Sequence, residues 1–251
     1  MNLNILIPTF DRGAANFINA ASITDDTQRR AVNFLAKRIR RIGWGRFDAL
    51  YPFVGGNASA HSFNLIDPTQ FQISWSGTIL HDSNGITGNG SNGYGNSGLN
   101  PRTVSSVSDF SVSAYKRTSG ANVALVGAND SAVNYTTISN GGSNVSRIAT
   151  TTAESVSSGT FDVGLGTAQC GSNRVNTLSI NGAVAVTGNA GSALHPNRAL
   201  LILARSNNGT VANYSPSNLS LISIGKFRTS TQETDFYRAV QQYQTILGRA
   251  V

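Results

Sequence analysis

Leu178-Ser179-Ile180-Asn181-Gly182-Ala183-Val184-Ala185-Val186 reads as two short strands and the turn that joins them. The flanks alternate or cluster apolar and β-branched residues. Asn-Gly readily takes the left-handed backbone conformations of a two-residue hairpin turn. The same grammar extends in both directions. From Arg46 onward, short runs with β-branched or apolar residues alternate with Gly, Asn and Ser clusters. Strands are expected near 47–53, 61–65, 71–76, 108–117, 121–128, 132–139, 144–151, 159–167, 174–180, 183–187, 198–205, 211–214 and 218–227. Asn140-Gly141-Gly142 and Ser119-Gly120 mark further turns. Many short antiparallel strands joined by tight turns imply a mainly β protein, a sandwich or jelly roll. Residues 82–98, DSNGITGNGSNGYGNSG, are low in complexity. An ordered long loop or an irregular edge anchored by Ile86 and Tyr94 is expected there.

Both ends read as helix. Asp11 can cap a short helix through about Ala21. Thr24 has the character of an N-cap for a second helix, with Asp25 and Asp26 in its first turn. Val32, Leu35, Ile39 and Ile42 share one face of that helix, and Gly43 sits at its end. At the other terminus Ser230-Thr231-Gln232-Glu233 has the spacing of a capping box. Phe236, Val240, Tyr243 and Leu247 follow at helical spacing, giving a helix over 231–247. The expected organisation is a helical segment over residues 1–45, suited to docking, and a sandwich with its C-terminal helix over 46–251.

Composition narrows the function. Only two Glu and ten Asp occur in 251 residues, while Asn, Gly, Ser and Thr make up about two fifths of the chain. Such a surface is neutral, rich in hydrogen-bonding groups and poor in acids and bases, which favours contact over chemistry. Hydrolysis of a glycoside needs two carboxylates about 5–10 Å apart. No D/E-x-D/E pair occurs in the strand region. Glu233 is explained as a cap, and Glu154 lies in a Thr/Ser-rich turn. His61, His81 and His195 are far apart in sequence, and the single Cys170 gives no zinc spacing. Asp82-Ser83-Asn84-Gly85 begins like a calcium loop but lacks the later Glu. Turn formation is the favoured reading, and no cofactor is expected.

The formal charge of +7 is local. Arg29, Arg30, Lys37, Arg38, Arg40, Arg41 and Arg46 fall in one acid-free segment, and the other twelve basic and twelve acidic residues cancel. The basic helix lacks aromatic interleaving for bases, so docking on an acidic neighbour, or a solvated face, is favoured over nucleic acid. Trp75, Asn84, Asn89, Asn92, Tyr94 and Asn96 combine aromatic faces with neutral amides, the chemistry that recognises sugars. No apolar stretch approaches the ~20 residues that span a bilayer. Met1 to Phe10 lacks the basic start of a signal peptide.

Two stretches carry a resemblance. One is Tyr51-Pro52-Phe53-Val54-Gly55-Gly56-Asn57-Ala58-Ser59-Ala60-His61, followed by Asn64-Leu65 and Asp67-Pro68. The other is Ile222-Ser223-Ile224-Gly225-Lys226-Phe227, then Phe236-Tyr237-Arg238-Ala239-Val240-Gln241-Gln242-Tyr243 and Leu247-Gly248-Arg249. Together they resemble a family of bacteriophage and prophage proteins with a concanavalin A-like, or laminin G-like, sandwich. The resemblance implies a jelly-roll sandwich with a helical N-terminal segment and a C-terminal helix. It also implies a non-enzymatic structural component of a phage head or tail. That component would be assembled in the host cytoplasm, present in many copies and bound to other virion proteins. The fold alone does not fix activity. The alternative is a lectin-like module that binds host surface glycan.

Overall fold

A computed structural model describes residues 10–120, 123–130, 134–140, 144–150, 156–158, 161–189 and 193–251. The absence of a signal peptide at residues 1–9, the glycine turn at 141–142 and the placement of Glu154 lie outside the described residues.

Two sheets form a sandwich of the expected jelly-roll kind. The first contains β1 (Phe47–Tyr51), β3 (Ile79–Asp82), β4 (Gly85–Gly88), β6 (Phe110–Lys116), β11 (Gly164–Cys170), β12 (Val175–Ile180), β13 (Ala183–Asn189) and β17 (Asn218–Gly225). Its order is β13-β12-β11-β6-β17-β4-β3, with β1 also paired to β17. The second contains β2 (Ser74–Ser76), β5 (Tyr94–Asn96), β7 (Val123–Asn129), β8 (Tyr135–Asn140), β9 (Asn144–Thr150), β10 (Val156–Ser158), β14 (Leu201–Ile202), β15 (Arg205–Asn207) and β16 (Thr210–Ala212). Its order is β10-β9-β8-β7-β14-β5-β2, with β15 bridging β7 and β16. The Asn181-Gly182 turn joins β12 to β13 with φ of 51° and 78°, the doubly left-handed geometry that Asn-Gly favours.

Phe110, Val112 and Ala114 of β6 and Ile222 and Ile224 of β17 face Val126, Ile138, Ile148 and Ile202 in the core between the sheets. The first sheet is buried on its other side too. Three helices cover it: α1 (Arg12–Ala20), α2 (Asp26–Ile42) and α5 (Ser230–Ile246). Phe17, Val32, Leu35, Ile39, Phe236, Val240 and Tyr243 pack there on Phe47, Leu50, Tyr115, Leu165 and Leu221. The molecule is thus layered as helices, sheet, sheet. The helical segment shares its core with the sandwich.

Asp11 caps α1 as expected, its carboxylate accepting from the N–H groups of Gly13 and Ala14. The two other caps move by one residue. Asp25, and not Thr24, caps α2 by accepting from the Gln28 N–H, because a carboxylate at that end also meets the positive pole of the helix. The α5 capping box is Thr229 with Gln232. Glu233 is drawn away from capping by Arg228, whose Nε donates to Glu233 Oε2 at 2.7 Å in a fully buried pair. That guanidinium also donates to Ser111 and Ser113 on β6.

No strand forms at 61–65. Asn57 instead caps a single helical turn, α3 (Ala58–His61), by accepting from the Ala60 N–H. Strands β4 and β5 arise inside the low-complexity stretch. There glycine is required by close approach: a side chain at Gly88 would strike the carbonyl of Ser215, and one at Gly93 that of Thr78. A fourth short helix, α4 (Pro101–Val104), is capped by Asn100.

Candidate functional site

The outer face of the second sheet carries a hollow of about 350 Å³. Strand alternation builds it. Gly95 pairs with Ile202 and faces inward under Ile73 and Trp75, so Tyr94 and Asn96 face out. Leu201, opposite Asn96, forms part of the hollow with Ala199, Ser206, Gly209 and Val211, while Asn197 and Arg198 stand at its edge. Tyr94 is half-buried and lies 6.3 Å from Tyr214, ring centre to ring centre, at 55°.

The loop that supplies Asn197 and Arg198 is firmly held. Asp130 accepts from the Asn197 N–H at 2.6 Å and lies 3.0 Å from Arg198 Nε. Arg102 Nε donates to the His195 carbonyl at 2.7 Å. His195 is buried. Its Nε2 lies 3.2 Å from the Ser106 carbonyl, which can only accept, so Nε2 carries the proton. Nδ1 then accepts from the Thr136 hydroxyl at 2.9 Å. Burial holds its pKa down at about 4; the Ser106 bond opposes this and the nearby Arg102 and Arg174 charges add to it.

Of the residues that the sequence marks for sugar binding, Tyr94 and Asn96 meet in this hollow, and the others lie elsewhere. Trp75 packs on the core edge, donates its indole N–H to the Ala58 carbonyl at 2.9 Å, and meets His81 edge-on at 4.8 Å. Asn84 sits in the β3–β4 turn, where Asp82 Oδ1 accepts from its N–H. Asn89 and Asn92 tie their loop: Asn89 Oδ1 accepts from the N–H groups of Ser91, Asn92 and Gly93, and Asn92 Oδ1 accepts from Thr78 and Asn89. Asn197, Arg198, Ser206 and Val211 carry no signal in the sequence, because pairing across about a hundred residues brings them to Tyr94.

Among the described residues no carboxylate lines the hollow. Among the described residues no three His, Cys, Asp or Glu side chains converge as metal donors. Asp48 and Asp109 are near neighbours elsewhere. Burial raises the Asp48 pKa, with Lys226 opposing and Asp109 reinforcing. His61 and His81 share one proton between Nδ1 atoms 3.1 Å apart. Burial pushes His61 down to about 3, with help from the His81 and Arg249 charges.

The basic helix is on the opposite side of the molecule. Arg30, Lys37, Arg38, Arg40 and Arg41 are exposed and Arg29 is half-buried. Arg29 pairs with Asp26, and Arg40 pairs with Asp11 and lies over Trp44. Arg30, Lys37, Arg38 and Arg41 have no carboxylate partner among the described residues.

No family model matches this chain, and no curated relative matches it. Solved structures do. The botulinum neurotoxin serotype D binding domain matches with TM-score 0.50 and 9% identity, over 78% of this chain and 52% of that one. A Trypanosoma rangeli sialidase matches with TM-score 0.49 and 11% identity, over 83% of this chain and 39% of its own. Domain 4 of AbnA, a GH43 extracellular arabinanase from Geobacillus stearothermophilus solved with arabinotriose, matches with TM-score 0.45 and 16% identity, over 76% and 98%. The chain spans about half of the toxin domain and about two fifths of the sialidase. At these identities the likeness concerns the fold.

Proposed function

We propose that this protein is a lectin-like module that binds a short glycan in the hollow around Tyr94. The observation that carries this reading is the pairing of a half-exposed tyrosine ring with amide and guanidinium donors in a hollow without carboxylates among its described residues. A sugar offers an apolar C–H face and a rim of hydroxyls. The ring of Tyr94 suits the face, and Asn96, Asn197 and Arg198 suit the rim. Asp130 lies 3.0 Å from Arg198 and 3.5 Å from Arg102, which holds the Arg198 guanidinium at the rim. The likeness of the sandwich to a toxin binding domain and to domains solved with sugars is consistent with this reading and adds no residue to it.

A glycan array followed by calorimetry tests it. Binding should fall about tenfold, a loss of about 1.4 kcal/mol, in Tyr94→Ala, and should be unchanged in Arg238→Ala on the helical face. No bound glycan, or equal binding by Tyr94→Ala, would overturn it. A second reading, a structural component of a phage particle, rests on the resemblance and is favoured by the unpaired basic stripe of α2. Incorporation of tagged protein into particles, reduced by charge reversal on that stripe, is its test.

A further inference from the structure

A trough of about 420 Å³ runs between α2 and α5, on the side of the molecule away from the hollow. Phe34, Arg38, Arg41 and Ile42 line it from α2, and Asp235, Arg238, Ala239 and Gln242 from α5. These positions recur at helical spacing on both sides, so the trough follows the seam of two parallel rows and is roughly 10–12 Å long. Its base is apolar, its α2 rim is basic, and on its α5 rim Arg238 lies 3.9 Å from Asp235. The Arg38 guanidinium lies 5.1 Å over the Phe34 ring and has no ion pair among the described residues. Arg30 and Lys37 extend the positive rim along the same arc of α2.

We infer that this trough docks an acidic amphipathic helix of another protein, with one or two apolar side chains on Ile42 and Ala239 and carboxylates on Arg38 and Arg41. Charge selects the occupant. Four cations on one face of α2 lack carboxylate partners among the described residues, and bidentate arginine–carboxylate pairing would satisfy them. A second copy of this chain is a poor complement. It carries a net charge of +7, and six of its twelve acidic residues, Asp11, Asp26, Asp130, Asp162, Glu233 and Asp235, already pair with its own cations. Nucleic acid fits poorly. Among the described residues that line the trough the one aromatic ring, Phe34, is covered by Arg38 and offers no platform for a base. The inference is independent of the glycan reading, since the two surfaces share no residue.

Fluorescence anisotropy on the full chain tests it with three labelled probes. One is a 14-residue helical peptide with two leucines four apart among glutamates; one has lysines for the glutamates; one is a 12-nucleotide single strand of DNA. The acidic peptide should bind, more weakly as salt rises. Binding should fall at least tenfold in Arg41→Glu/Arg238→Glu and in Gln242→Trp, whose ring at an exposed lining position fills the trough. The circular dichroism spectra of these variants should match the parent. Failure of the acidic peptide to bind, tighter binding of the DNA, or binding unaffected by both variants would overturn the proposal.

Discussion

Replacing Glu233 by glutamine would leave the Arg228 guanidinium charged and fully buried, facing Ser111, Ser113 and the rings of Phe236 and Phe47, 4.4 and 5.5 Å away, with no carboxylate. Breaking a buried pair from one side costs about 3–5 kcal/mol. Chemical denaturation of Glu233→Gln should show a loss of that size; a loss below 1 kcal/mol would mean that the pair is not desolvated as described. A second prediction concerns acid. His61 and His195 are held neutral, at about 3 and about 4, whereas the unfolded chain binds their protons near the ordinary histidine value. Their contribution is therefore complete above about pH 6.5 and is lost as pH falls through 6.5 toward those values. The thermal midpoint should drop between pH 7 and pH 4, and the drop should shrink in His195→Gln. A flat profile over that window would refute the assignment. Single residues were legible where the chemistry is local. Asp11 and the Asn181-Gly182 turn needed only their neighbours. The role of Glu233 was hidden because capping-box spacing is also local, and nothing nearby announces that Arg228 will be buried. The serines of β6 were hidden likewise: alternation reads them as wet, yet they lie beneath that arginine.

At the scale of elements, α5 is fixed at both ends by interactions of different kinds. Thr229 and Gln232 close its first turn. Beyond its last turn, Arg249 is buried and donates to the carbonyls of Pro52, Phe53, Ser83 and Ser220 as well as to Gln244 and the Tyr243 hydroxyl. Those acceptors come from four separate segments, so one side chain ties the helix end to the β1 exit and to β17. Thr229→Ala should cost about 1 kcal/mol. Arg249→Ala should cost several times more, because several buried carbonyls lose their donor together. Equal costs in urea unfolding would contradict this ranking. The Gly182 turn is also an interface: a side chain there would strike the ring of Tyr237 on α5, and its φ is 78°. Helices and hairpins were visible in the sequence because each has a short period or a turn signal. Strands β4 and β5 were not, since their glycines reflect close approach, of backbone at Gly85 and Gly88 and of the Trp75 and Ile73 side chains at Gly95, rather than strand propensity. Half of the hollow was hidden for a related reason. Tyr94 and Asn96 stand out as an aromatic and an amide in a loop-like stretch, but Arg198 and Ser206 reach them only through the pairing of β14 with β5.

As a whole, the molecule turns two unlike faces outward, with helices on one side and a bare sheet on the other. The helical segment cannot be removed as an independent arm. Leu35, Ile39 and Phe17 are fully buried against the first sheet and α5, so deleting residues 1–45 would uncover that core. Such a truncation should aggregate or lose its cooperative unfolding transition, and any docking role is better probed by charge reversal at Arg41 and Arg238. On the proposed glycan reading, function depends on the sheet face. Amide shift mapping by NMR, on titration with a glycan selected from the array, tests this most directly. The account predicts shifts concentrated in Tyr94, Asn96, Asn197, Arg198, Leu201 and Ser206, with α2 and α5 silent. Shifts centred on the helices, on Trp75, or on the Asn84 and Asn92 turns, with the hollow unmoved, would contradict it.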